Sequence, residues 1–321
     1  MSFSPPPPPP PASSSSGQRK TNHVTANDEP FPSPSSLSSA TVSHTQSNFR
    51  ISYRKLPILK AAPIEAMSTR LGIPIPEMIF GDNLASITHL PTGWSISFTA
   101  EPALDQVDKT GSNMLRVAYA KEWSSSREKT SAGISEVVKP YDWSYTTAYK
   151  GDETIAILPT STNIPQEQIP TLQPSTSGAQ IPLPLLQRRD PILFAQEVVL
   201  YESELDDNGI SILSVKFRVM PKRMLLLSRL FMRLDNVLVR VRDTRVYVDF
   251  ETDQVIREYT AREEDFEKVR QGLVMQGMPP AEVTVALRDA NQVVGLLKVV
   301  EQTVEEVSLK NYFSGRNSDG R

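Results

Sequence analysis

The sequence predicts an α+β fold in which antiparallel β-sheets built from hairpins carry packed helices, preceded by a disordered N-terminal leader. Three observations lead there. Trp94, Ile96 and Phe98 alternate with Ser95, Ser97 and Thr99, the period of a half-buried strand. Ile192 to Glu202 is a nearly unbroken apolar run, Glu204 to Gly209 is polar, and Ile210 to Met220 is apolar again, which reads as strand, turn and strand. Residues 1–46 hold few large apolar side chains among Pro, Ser, Thr and Asn, a composition that cannot offset the entropy of ordering the chain.

The elements follow in order. In the leader, the seven prolines Pro5 to Pro11 should form a polyproline II rod, roughly 20 Å long at about 3.1 Å per residue, acting as a spacer. The folded domain is expected over 47–313. Ile64 to Leu71 reads as a short helix stopped by Gly72, Pro74 and Pro76, and Gly81 to Asn83 as a turn. Leu115, Val117 and Tyr119 continue the strand period. Residues 160–191, rich in Pro, Gln, Ser and Thr, suggest a flexible surface insertion. After the 192–220 hairpin, Pro221 stands where a helix accepts proline, and Lys222 to Leu234 is expected to be helical with a basic edge. Val237 to Phe250 reads as a second hairpin and Arg257 to Thr260 as a short extended piece. Ala261 to Gln276 and Pro280 to Leu309 read as two helices parted by Gly277 and Pro279, and 314–321 as a disordered tail.

Composition excludes several kinds of chemistry. The 321 residues include no cysteine, so disulfides, thiolate nucleophiles and Cys-based zinc sites are out, and a reducing compartment fits. A cytoplasmic location is expected, with the nucleus as a second. Met224 to Leu234, the longest greasy stretch, is broken by Ser228, Arg229 and Arg233 and is too short to span a bilayer. A net charge of −3 gives no global attraction to nucleic acid or to membranes. Of three histidines, His23 and His44 fall in the leader. A triad around His89 would lack a nucleophile elbow, so His89 is read as a surface-loop residue. Glu204, Asp206, Asn208 and Gly209 imitate the start of an EF-hand loop, but position twelve is Val215 and strands flank the loop. No phosphate-cradling glycine motif occurs. A non-enzymatic protein without cofactor or metal is the expectation.

Charge phasing is more informative. Lys216 and Arg218 alternate with Val215, Phe217 and Val219, and Arg240 and Arg242 with Val239 and Val241. In the second half of the expected hairpin, Arg245, Tyr247 and Asp249 alternate with Val246, Val248 and Phe250. Ile212 to Arg245 holds nine Lys or Arg against two Asp. Either this is a solvated face whose arginines pair with neighbouring carboxylates, or it docks an acidic segment or terminal carboxylate. Tyr141, Trp143, Tyr145 and Tyr149, in a polar stretch, read as partly exposed interface anchors or as packing under a loop.

The runs Pro76 to Asn83, Lys139 to Thr147 with Tyr149 to Gly151, Leu213 to Pro221, Asp243 to Arg245 and Arg257 to Thr260 closely resemble the TIPRL, or TIP-forty-one-like, family, over roughly Phe49 to Glu263. That resemblance implies a regulator that binds and restrains the catalytic subunit of type 2A-class serine/threonine phosphatases in TOR-pathway signalling. A TAP-type phosphatase-associated regulator is a further implied partner. It also implies a cleft that receives the catalytic subunit and its C-terminal tail. Ile164, Val241 and Asp243 match the family's contact regions, while Pro102, where an acidic residue is usual, and the long insertion after Ile164 depart from the pattern. Arg242, Asp243 and Arg245 are expected at the tip of the basic hairpin, joined in the interface by Tyr141 and Trp143. A scaffold that bridges the phosphatase to other proteins without inhibiting it is the rival reading.

Overall fold

Strand pairing organises the chain into two antiparallel sheets with helices at their margins. The structure is a computed structural model that describes residues 31–110, 141–155 and 170–310. The smaller sheet has the order β1-β2-β4-β5-β6, built from Val42–Gln46, Phe49–Arg54, Leu84–His89, Trp94–Phe98 and Asp152–Ile155. The larger follows β3-β8-β9-β10-β11-β12-β13-β7. Its long strands are β8 (Phe194–Ser203), β9 (Gly209–Val219), β10 (Arg223–Leu234), β11 (Leu238–Asp249), β12 (Gln254–Asp265) and β13 (Lys298–Ser308), edged by the two-residue β3 (Met78–Ile79) and β7 (Gln173–Pro174).

The main core lies between the sheets, where Ile51, Ile87, Trp94 and Phe98 of the smaller meet Val215, Phe217, Leu226 and Val248 of the larger. A second core sits on the larger sheet's opposite face, where α5 (Phe266–Met275) and α6 (Pro280–Ala286) press Phe266, Val269, Leu273 and Val283 onto Phe231, Val239 and Val241. At the other end of that face Tyr247 and Ile256 pack with Ile181. The smaller helices are α1 (Pro34–Ser39), α2 (Ala61–Leu71), α3 (Ala100–Asp105), α4 (Leu183–Leu186) and α7 (Ala290–Val293).

The α+β class, the 192–220 hairpin with its turn, the Trp94 to Phe98 strand and the helix ending at Gly72 are present as expected; Gly72 terminates α2 with φ +69°. Three elements differ. Lys222 to Leu234 is strand β10, not a helix. Its even residues Met224, Leu226, Leu230 and Met232 face the main core, while Phe231 faces the helical core. A central strand covered on both faces reads as a continuous apolar run, which hides its period of two.

Val237 to Phe250 is one strand with no turn at Asp243. The apparent phase change has a different cause. Val239 and Val241 lie under the helices, whereas Val246 and Val248 lie on the opposite face against the smaller sheet. The layers covering the strand exchange along its length, and the apolar residues follow them. Arg257 to Thr260 is the middle of β12, so the helix expected from Ala261 begins at Phe266, after Asp265 accepts a hydrogen bond from the Lys268 amide.

Pro280 to Leu309 is likewise not one helix. It breaks after α7 and a 3-10 turn (Val294–Leu296), and Lys298–Ser308 forms β13, where Val299, Val300, Thr303, Val304 and Val307 supply β-branched side chains.

Two expected boundaries also shift. β1 lies within the stretch assigned to the leader, paired with β2, and its His44 stacks on Phe194 at 5.1 Å. In the expected insertion, Leu172 and Ile181 are buried and β7 pairs with β13. The proline run, the 115–119 strand, Ile164 and the 314–321 tail lie outside the described residues.

Candidate partner-docking site

Residues directly opposite in neighbouring antiparallel strands share a sheet face. Asp243 pairs with Arg229 of β10 and Thr260 of β12, which brings Arg229, Arg245, Glu258, Thr260 and Arg262 around it on the helix-bearing face. Asp243 is 0% exposed, and its carboxylate is caged. Arg229 donates through Nε to Oδ1 at 2.6 Å and through Nη2 to Oδ2 at 2.8 Å, a bidentate pair. Arg245 Nη2 donates to Oδ2 at 2.9 Å while its Nη1 donates to Glu258 at 2.9 Å. Arg262 Nη1 stands 4.0 Å from Oδ2, outside hydrogen-bond reach, and has no hydrogen-bond acceptor.

Three guanidiniums thus face two carboxylates. The patch, termed the trough for its place between two flanking elements, has Asn291 of α7 on one side, accepting from Arg229 Nη1 at 2.8 Å, and the cluster of Ile181, Tyr247 and Ile256 on the other. The Arg245 and Arg262 side chains are 23% and 22% exposed, whereas Asp243 is sealed.

The opposite face holds a different polar assembly. Residues 141–151 run across it as a strap. Thr244 Oγ1 donates to the Tyr149 carbonyl at 3.1 Å, Tyr201 Oη to the Tyr145 carbonyl at 2.8 Å, and Lys150 sits over the Tyr259 ring at 4.7 Å. Arg240 and Arg242 both bond Glu263, at 3.0 and 3.1 Å. Burial pushes the Glu263 carboxyl up, but the two guanidiniums outweigh it and hold the group below its ordinary value. Asp142, under the strap, is pushed up by burial despite its bonds from Ser144.

The expected interface residues therefore do not form one surface. Val241, Asp243 and Arg245 share a face, but Val241 is sealed beneath the helices and Asp243 is at mid-strand instead of a hairpin tip. Arg242 points to the strap side. Tyr141 and Trp143 are buried in the main core and not partly exposed anchors. Glu258 and Arg262 were not singled out from the sequence, and Arg229 was read only as part of the basic edge of an expected helix; reading β10 as a strand would have placed Arg229 opposite Asp243. The Gly81 to Asn83 turn is structural, with Asn83 bridging the Leu56 amide and the Val199 carbonyl at 2.6 and 2.7 Å.

His89 is not a surface residue: it is 1% exposed at the end of β4, where Nδ1 lies 2.8 Å from Thr92 Oγ1 and Nε2 lies 3.7 Å from Asp253. Hydroxyl, imidazole and carboxylate stand in a row, yet all three are buried at the joint between the sheets. Burial, only partly opposed by Asp253, lowers the His89 pKa to about 4. Among the described residues, no group of three or more His, Cys, Asp or Glu is placed to hold a metal ion, and no helix is long and apolar enough to cross a membrane.

Fold and site together define a two-sheet α+β protein that presents arginines around a sealed carboxylate on a partly open sheet face. Residues 78–270 match the model of the TIP41-like family, and the chain belongs to that family. It is 40% identical over 221 residues to a TIP41-like protein of Homo sapiens, covering 67% of this chain and 74% of that protein. It is 37% identical over 275 residues to the Type 2A phosphatase activator TIP41 of Saccharomyces cerevisiae, covering 80% and 72%. A TIP41-like protein of Arabidopsis thaliana is 36% identical over 261 residues, covering 78% and 86%.

Proposed function

We propose that this protein is a non-enzymatic regulator that binds the catalytic subunit of type 2A-class serine/threonine phosphatases, with the Arg245–Arg262 trough receiving an acidic or carboxylate-bearing segment of that subunit. Family membership supports the phosphatase reading, since the budding-yeast relative and one of Schizosaccharomyces pombe both carry the name of type 2A phosphatase activator. The observation that carries the docking reading is the pair of partly exposed guanidinium side chains, Arg245 and Arg262, beside a sealed carboxylate already bonded by Arg229 and Arg245. We place its action in TOR-pathway signalling, in the cytoplasm and the nucleus, with a TAP-type phosphatase-associated regulator as a further partner.

Restraint of the enzyme is the direction implied by the sequence resemblance, whereas the yeast names state activation. Calorimetry of the chain against the catalytic subunit, paired with phosphatase assays, tests both levels. Arg262→Glu should weaken binding at least tenfold, a loss of about 1.4 kcal/mol or more. Equal affinity of wild type and variant removes the trough from the interface. Bound enzyme with unaltered turnover would favour the scaffold reading.

A further inference from the structure

Where β10 ends, α5 and α6 enclose a groove of about 470 Å³ that has no part in the Asp243 trough. Its floor is apolar and buried, made by Phe266, Val283 and Leu287. Arg233, Arg270 and Arg288 stand around it, with Asp235 the one carboxylate in its lining. Arg233 is fixed from two sides, donating to Asp235 at 2.6 Å and to the Leu287 carbonyl at 3.3 Å. Arg270 is tied to Glu267 at 2.8 Å. Arg288 is exposed and has no ion-pair or side-chain hydrogen-bond partner among the described residues.

Of the other acidic groups nearby, Glu282 of α6 is exposed and outside the lining, and the rest are engaged. Asp265 caps α5, Asp289 caps α7 through the Asn291 amide at 2.8 Å, and Glu264 pairs with Lys268 and Lys298. The lining therefore holds three guanidiniums, of which Arg233 and Arg270 are ion-paired with Asp235 and Glu267 and Arg288 is unpaired among the described residues. Beside it, Val274 is 46% and Met275 87% exposed, so apolar surface continues from the floor out of the groove.

An apolar floor rimmed by guanidiniums is the arrangement that recognises an acidic peptide through a buried anchor and charge-assisted hydrogen bonds. We propose that the groove docks a short acidic segment of a partner protein, one apolar side chain entering between α5 and α6 and its flanking carboxylates meeting Arg288 and Arg270. The charge of the lining selects this occupant over a basic or uncharged peptide. The proposal stands apart from the phosphatase reading and would give the protein a second, independent protein contact.

The test is fluorescence anisotropy on the full chain with a labelled hexapeptide of central leucine flanked by glutamates, beside its lysine-flanked counterpart. The glutamate peptide should bind saturably and roughly tenfold tighter than the lysine peptide, and weaken in about 0.5 M salt. Arg288→Glu should lower its affinity roughly tenfold, with an unchanged melting temperature because Arg288 is exposed and unpaired. Arg262→Glu, in the trough, should leave peptide affinity unaltered. Equal binding of the two peptides, no saturation below about 1 mM, or loss with Arg262→Glu but not with Arg288→Glu would each overturn the assignment.

Discussion

Replacing Asp243 with Asn should unfold the protein far more readily than any surface substitution, although the two side chains are nearly isosteric. The carboxylate accepts three charge-assisted hydrogen bonds, at 2.6, 2.8 and 2.9 Å, from Arg229 and Arg245, and it is fully buried. An amide in its place keeps one accepting oxygen but turns an N–H toward a guanidinium, leaving charge uncompensated in the sheet. Removing one partner of a buried pair costs about 3–5 kcal/mol. For a domain of this size each kcal/mol moves the midpoint by about 2–4 °C, so a fall of roughly 10 °C is expected in a thermal melt. Asp243→Lys, which places a fourth cation in the cage, should be worse.

The double variant Arg229→Met/Asp243→Leu removes both ends of the bidentate pair, leaves Arg245 with Glu258, and should regain most of the loss. Urea unfolding of the four corners of the cycle measures it. A cost below about 1 kcal/mol for Asp243→Asn, the range of exposed pairs, would refute the idea of a sealed cage.

Two further outcomes follow from the core. His89 is neutral in the fold, with a pKa lowered to about 4 against an ordinary 6.5, so the unfolded chain binds more protons between those values. The His89 contribution is therefore complete above pH 6.5 and is lost as pH falls toward 4, by up to about 3 kcal/mol. His89→Gln should flatten that part of the stability–pH curve, and parallel curves for the two proteins would contradict it. At Gly209, an added Cβ would collide with the Arg233 carbonyl oxygen, so Gly209→Ala must push β9 and β10 apart. Chemical denaturation should show a loss of at least about 2 kcal/mol, whereas Gly295→Ala, facing open space, should stay within about 0.5 kcal/mol.

Strands covered on one face were legible in the sequence because alternation survives there, as in Trp94 to Phe98. β10 was not, since Met224 to Leu234 is apolar on both faces and four-residue spacings such as Arg229 to Arg233 suit a helix equally well. β13 misled similarly: Val293, Leu297, Val300, Val304 and Val307 fall at helical spacing, yet only the first two belong to the helical core. Asp243 carried a local signal, a carboxylate among arginines, that marks either a turn or a buried pair. Only the register opposite Arg229 decides, and register is a long-range property. Tyr141 and Trp143 stand in polar sequence because neighbouring polar groups of the strap bond within the protein, Thr146 and Asp142 with Arg240 and Ser144 with Asp142.

The most direct test of the account is calorimetry of the chain with a type 2A-class phosphatase catalytic subunit, intact and lacking its C-terminal tail, using wild type and Arg262→Glu. The account predicts micromolar or tighter binding for the intact pair, weakened by removal of the tail, by Arg262→Glu, and no further by both together. Absence of binding to either form of the catalytic subunit would contradict it.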